Sequence, residues 1–203
     1  MPQPVSGEPE APLKKSDRTR TSILDAAARL FARRGYADTN LSDIAAEAGM
    51  KAGSLYYHFE SKEDLVYEVF RYGVAHSFEH TRAEVERRGS RASAVERLRA
   101  AIQAHLDSLH SLGDYATAGL RIVEQAPKAI RRKQYANQRR YGEYWHELLA
   151  QAQSEGGLPP GLDLLAARLF LFGAMNGTVG WPASAERSTE QLTATLMALL
   201  VRG

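Results

Sequence analysis

The sequence predicts an all-α chain, and three observations predict it. Apolar residues recur at helical spacing through most of the chain after residue 15. No stretch shows sustained two-residue alternation bounded by turn residues, as a strand would. Capping residues stand just ahead of several of the periodic segments.

The elements follow in order. Residues 1–15 carry four prolines and no apolar periodicity, and read as a disordered tail. A first helix over about 17–34 has the apolar line Ile23, Ala27, Leu30, Phe31 and ends at Gly35. A second, over about 41–48, has Asn40 as its cap and Asp43 as a capping-box partner. After Gly49, a short helix spans about 52–59. Ser61 with Asp64 repeats the capping signature and opens a long helix to about Arg88. Ser93 with Glu96 opens the next, with Val95, Leu98, Ile102, His105, Leu106 and Leu109 on one face. The segment 114–156 is helical with a break at Pro127, and GGLPPG at 156–161 is a loop. An apolar helix over about 162–179 and a last one capped by Ser188 and Gln191 complete the chain.

Composition narrows the function. With 203 residues, 25% of them charged, and no cysteine, the chain is neither disordered nor a disulfide scaffold, and it lacks a thiol nucleophile or thiolate metal site. No secretory leader is visible in the first 20 residues, so a cytoplasmic location is expected. The most apolar stretch, 166–181, contains Arg168, Asn176 and three glycines and falls short of the ~18–20 apolar residues of a membrane span. No membrane partner is expected. The net charge is only +2, but its distribution is uneven. Seven basic residues between 14 and 34 face only Asp17 and Asp25, and seven between 121 and 140 face only Glu124. Each run is either a place that meets anions or a solvated helix face.

Two helices joined by a short glycine-containing turn form the helix-turn-helix pattern. Here Ile44, Ala45 and Ala48 would face Leu55 and Phe59, with Ala45 and Gly49 small enough for close packing. The second helix would present Lys51, Ser54, Tyr56, Tyr57 and His58, all donors suited to phosphates and base edges, with Lys62 reaching an adjacent phosphate. The competing reading is a small bundle in which these side chains merely pack. The histidines form no ligand-spaced cluster; His76 and His80 are the sole pair four apart on one helix, without an evident third ligand, so no metal and no cofactor are expected.

Residues 20–70, RTSILDAAARLFARRGYADTNLSDIAAEAGMKAGSLYYHFESKEDLVYEVF, resemble the N-terminal domain of the tetracycline-repressor (TetR) family of bacterial regulators. The landmarks are LF and GY of the first helix, Thr39, DIA and AG of the first motif helix, and GSLYYHF followed by SKEDL. The resemblance implies a double-stranded DNA operator as partner. It also implies phosphate contacts from Ser54, Tyr56, Tyr57, His58 and Lys62, with Thr39 and Lys51 completing the DNA-binding set. Where the family commonly has Ser-Lys, this chain has Lys51-Ala52, which removes a cap worth ~0.5–2 kcal/mol and shifts the lysine one position earlier.

The resemblance further implies a homodimer held by the last two helices. Independently, Leu165, Leu169 and Phe172 on one, with Leu192, Leu196 and Leu199 on the other, are more apolar than one domain face needs. The expected organisation is therefore a tail (1–15), a three-helix helix-turn-helix DNA-binding domain (16–62), and a helical ligand-binding and dimerisation domain (63–203).

Candidate effector contacts are polar groups interrupting apolar stripes. Gln134 and Asn137 interrupt the line Ile130, Tyr141, Trp145, Leu148, and His105, Tyr72, His76, Asn176 and Trp181 supply further polar groups. AMNGTVGWP at 174–182 resembles a branch of the family whose repressors answer to acyl-CoA thioesters. Lys128, Arg131, Arg132, Tyr135 and Arg139 share one helical face that could hold its phosphates, or simply face solvent. The expected activity is a ligand-responsive repressor. Its alternatives are a repressor answering cationic or uncharged hydrophobic compounds and a helical-bundle enzyme; no G-x-S-x-G, H-E-x-x-H or phosphate-loop motif supports the last.

Overall fold

The computed structural model describes residues 15–182 and 187–201, without the side chains of 15, 123, 124 and 137. The expected tail over 1–15 lies outside these residues except for Lys15, which begins the first helix. Among the described residues the chain is helical and contains no strand.

In order, the α-helices are α1 (Lys15–Arg34), α2 (Leu41–Glu47), α3 (Ala52–Leu55), α4 (Lys62–Arg87), α5 (Ala94–Leu112), α6 (Asp114–Gln125), α7 (Lys128–Ser154), α8 (Leu164–Gly177) and α9 (Thr189–Leu200). A 3₁₀ turn, Thr178–Gly180, extends α8. Asp163 caps α8 by accepting from the Leu165 and Ala166 N–H groups, so that helix starts two residues later than its apolar pattern does. Full capping boxes form at Ser93/Glu96 and Ser188/Gln191. At α2, Asn40 accepts from the Asp43 N–H, but the Asp43 carboxylate turns to Arg34 at 3.0 Å instead of reaching back. Ser61 likewise accepts from the Asp64 N–H. Aspartate is one methylene shorter than the Glu or Gln that closes a box.

Two buried clusters organise the molecule. The first joins Ile23, Leu30 and Phe31 of α1, Ile44, Leu55 and Phe59 of the motif, and Leu65 to Phe70 of α4. It also takes in Ala118 and Ile122 of α6, Ala126 and Ile130. The head core thus includes the α6–α7 corner, far outside residues 16–62. The second cluster gathers α5, Tyr141 to Ala152 of α7, and Leu171, Met175, Leu192 and Met197 of the last two helices, with Val85 from the end of α4. Helix α4 belongs to both and runs between them as a strut.

Head and α6 are also stitched by polar contacts. Gln125 Oε1 accepts from the Tyr36 N–H at 2.9 Å, Arg121 donates to Arg33 O at 2.9 Å, and Tyr115 Oη donates to Asp25 at 2.8 Å. Gly35, with φ +80°, makes the turn out of α1, and an added Cβ would collide with that Gln125 side chain.

Candidate nucleic-acid interface and effector core

The helix-turn-helix turn is set by Gly49 at φ +70°, a left-handed position where a side chain would be strained. An added Cβ there would meet nothing within 4 Å, so the residue serves the backbone rather than close helix packing, contrary to the sequence expectation. The second motif helix is shorter than its pattern. Regular α-helix covers only Ala52–Leu55, and Tyr56, Tyr57 and His58 lie in the turn that follows, where Leu55 O accepts from both the His58 and Phe59 N–H groups. Lys51 occupies the N-cap without a side-chain cap bond, as expected for the missing serine.

Lys51, Ser54, Tyr56 and Tyr57 are exposed together, Tyr57 at 91%, and His58 is half-buried beside them. Lys62 lies with its Nζ 4.1 Å from the centre of the Tyr36 ring, and burial pulls its pKa down. Thr39 differs from the exposed residues of the expected set: it is 1% exposed, and its hydroxyl donates to Gly35 O at 2.8 Å, so its side chain fastens the α1–α2 turn.

The C-terminal part of the basic run in α1 is paired within the head. Arg29 and Arg33 pair with Glu47, and Arg34 pairs with Asp43. Arg20, not singled out by the sequence, makes three contacts: it donates to His58 O at 3.1 Å, pairs with Glu68 at 2.8 Å, and lies 4.4 Å above the Phe59 ring. Burial alone would raise Glu68, but Arg71 and Arg20 more than offset it and hold the carboxyl below its usual range. No spacing rule could have found this clamp, because it spans 38 and 48 residues of chain.

Behind the clamp, Tyr67 and Lys133 help line a groove of about 510 Å³ between the head and α7.

In the body, the structure brings together four of the expected effector residues. His105 Nδ1 lies 2.9 Å from Tyr141 Oη, and His105 Nε2 lies 3.4 Å from Asn176 Oδ1. Trp145 is 5.9 Å from His105, ring to ring, and wholly buried. Thr81, missed in the sequence because it interrupts no obvious stripe, bonds Tyr141 Oη at 2.8 Å. Phe172, expected at a dimer contact, instead packs edge-on against His105, Trp145 and Tyr141. Burial pushes His105 down from 6.5 to about 4, so it is neutral, and raises Tyr141, so its hydroxyl keeps its proton.

The other expected contacts do not join this cluster. Tyr72 and His76 are exposed and form a separate ring ladder with Tyr115 and His80. Trp181 is half exposed beyond the 3₁₀ turn. Gln134 is buried, with its Nε2 unbonded. The Asn137 side chain lies outside the described residues. On the basic face of α7, Arg131 is half-buried, while Arg132, Tyr135 and Arg139 are exposed and Arg139 pairs with Glu143. Among the described residues no group of His, Cys, Asp and Glu could hold a metal ion, and no helix is long and apolar enough to cross a membrane.

Of the expected interface residues, Leu192 is buried in the body core beside the already placed Phe172, and Leu196 packs partly against it. Leu165, Leu169 and Leu199 are exposed, together with Phe170, which the sequence reading passed over.

"Bacterial regulatory proteins, tetR family" matches residues 23–69, and "Tetracyclin repressor-like, C-terminal domain" matches residues 91–203. The HTH-type transcriptional repressor KstR2 of Mycobacterium tuberculosis is 29% identical over 187 residues, 88% of this chain and 90% of that protein. The regulator FadR from Bacillus subtilis, solved in complex with stearoyl-CoA, superposes with a TM-score of 0.77 at 26% identity, covering 90% of this chain and 98% of FadR. AibR, solved with isovaleryl coenzyme A and operator DNA, superposes with a TM-score of 0.73 at 28% identity, with the same coverage. The head and body matches, in this order and together spanning most of the sequence, establish that the chain belongs to the tetR family of bacterial regulatory proteins and is a transcriptional regulator.

Proposed function

We propose that the chain is a homodimeric repressor of an inverted-repeat operator, released by a coenzyme A thioester. The observation that carries this reading is the likeness, over about nine-tenths of the chain, to two regulators solved with CoA thioesters, one of them also holding operator DNA. The exposed Lys51–Tyr57 surface supplies the operator contact. The apolar skin of Leu165, Leu169, Phe170 and Leu199 supplies the dimer contact, since surface of that kind on a lone chain is a liability that a second copy removes. A two-fold dimer doubles the few bases that one short recognition segment can read. Effector and operator then weaken each other reciprocally, typically by ~1–3 kcal/mol, because each favours a different spacing of the two heads.

The test is selection of bound duplexes from a random pool, followed by release of the selected operator with short- and long-chain CoA esters, free acids and cationic drugs. Release by CoA esters alone supports the reading. Release by cationic or uncharged compounds without CoA replaces the effector, and turnover of any added compound replaces the function. Lys51→Ala is expected to change the preferred base in the selected sites; an unchanged profile removes Lys51 from base reading.

A further inference from the structure

In the sequence, Tyr36 is a landmark beside Gly35 with no role of its own. In the structure it is held at three points. Its N–H donates to Gln125 Oε1 of α6 at 2.9 Å, and its hydroxyl donates to Glu63 Oε1 of α4 at 2.7 Å. Its half-buried ring packs against the head core. Burial first, and then the Glu63 carboxylate, push the hydroxyl up to about 12, so it keeps its proton and stays a donor. The same bond holds the Glu63 carboxyl below its usual range, so the acceptor stays ionised. The ring is thereby fixed from both ends, by a backbone bond at one and a charge-assisted bond at the other.

What the ring carries is Lys62, the first residue of α4, next to the Ser61 cap. Its ammonium lies 4.1 Å from the ring centre. A lysine has a flexible four-carbon stem, and ordering such a stem on binding costs affinity. A ring face attracts the ammonium without taking a hydrogen bond from it, so its three N–H donors stay available to phosphate oxygens. A carboxylate in the same place would order the lysine but spend its charge. Glu63, the adjoining carboxylate, is turned to the Tyr36 hydroxyl instead.

We propose that Tyr36 is a positioning residue for DNA binding: its ring face seats the Lys62 ammonium before the operator arrives, so that a phosphate meets an ordered cation. The proposal rests on the operator reading above and assigns one residue within it.

The experiment measures affinity by fluorescence anisotropy for two duplexes of equal length, the selected operator and a random sequence. The proteins are the wild type, Tyr36→Leu, Tyr36→Phe, Lys62→Ala and the double variant Tyr36→Leu with Lys62→Ala. Phosphate contacts carry no sequence information. Tyr36→Leu is therefore expected to lose about two- to tenfold per protomer on both duplexes alike, the cost of ordering one lysine on binding. Tyr36→Phe keeps the ring and should keep the affinity. Added to Lys62→Ala, Tyr36→Leu should cost nothing further. A deformed head would instead weaken the operator more than the random duplex, and its effect would add to that of Lys62→Ala; either result overturns the proposal. So does a Tyr36→Leu affinity equal to the wild type's, or a loss in Tyr36→Phe equal to that in Tyr36→Leu. In the NMR spectrum of the wild type, the Lys62 Hε protons should lie upfield of those of Lys51, shielded by the ring. Equal shifts overturn the seat even if the leucine variant fails to fold. Binding of neither duplex by the wild type overturns the operator reading and this proposal with it; every other failure leaves the operator reading standing.

Discussion

Arg20→Ala tests whether the recognition turn is held from behind. The side chain gives one hydrogen bond to His58 O and one charged bond to Glu68, and covers the Phe59 ring. Arg20 is 38% exposed and Glu68 16%, so solvent screens the ion pair, and ~1 kcal/mol is a fair allowance for it. The carbonyl bond and the ring contact add ~1 kcal/mol more. If that ~1–2 kcal/mol holds Tyr56, Tyr57 and His58 in the form that meets DNA, operator affinity falls about 5- to 30-fold per half-site. The assay is fluorescence anisotropy with a labelled operator over a series of salt concentrations. Because Arg20 is engaged by Glu68 and His58 O rather than by phosphate, the slope of log K against log salt is expected to stay unchanged, whereas Lys62→Ala should reduce it by ~0.9 per half-site. A reduced slope for Arg20→Ala would mean that Arg20 contacts phosphate, and would refute the clamp.

Three further outcomes are expected. His105 is neutral in the fold down to about pH 4, whereas in the unfolded chain it takes up a proton below about 6.5. Stability is therefore full above 6.5 and declines as the pH falls toward 4, by up to about 3 kcal/mol. Asn in place of His105 should flatten the loss of Tm between pH 6.5 and 4.5, above the range where Glu63 and Glu68 titrate; an identical pH profile rejects the assignment. Gly157→Ala drives a Cβ into Val95 Cγ2 and should cost about 1–3 kcal/mol by overpacking, read as a lower Tm with operator affinity kept below the melt. If the exposed skin of α8 and α9 holds the proposed homodimer, Leu169→Glu yields a monomer in sedimentation where the wild type is a dimer, and a variant dimer that persists places the interface elsewhere.

The sequence by itself determined which segments are helices and where most of them stop. Caps, breakers and apolar spacing act within a few residues, so Asn40, Ser61, Ser93, Pro127 and Ser188 carry their own instructions. It also put the proposed DNA surface within reach of sequence reasoning, because Lys51 to His58 are neighbours in the chain and their types suit phosphates and bases. Where the short-range rules misled, a distant partner was the cause. Thr39 looks like a surface donor until Gly35 O takes its hydroxyl, and Arg29, Arg33 and Arg34 look free until Glu47 and Asp43 pair with them. Only the tertiary structure decided which polar residues share one buried site. His105, Tyr141, Asn176 and Thr81 come from four helices, and periodicity places each on a face without saying which faces meet. The same limit hid the α6–α7 corner inside the head core: Ile122 and Ile130 read as members of the body, and it is the packing of α6 against α1 that carries them across the boundary.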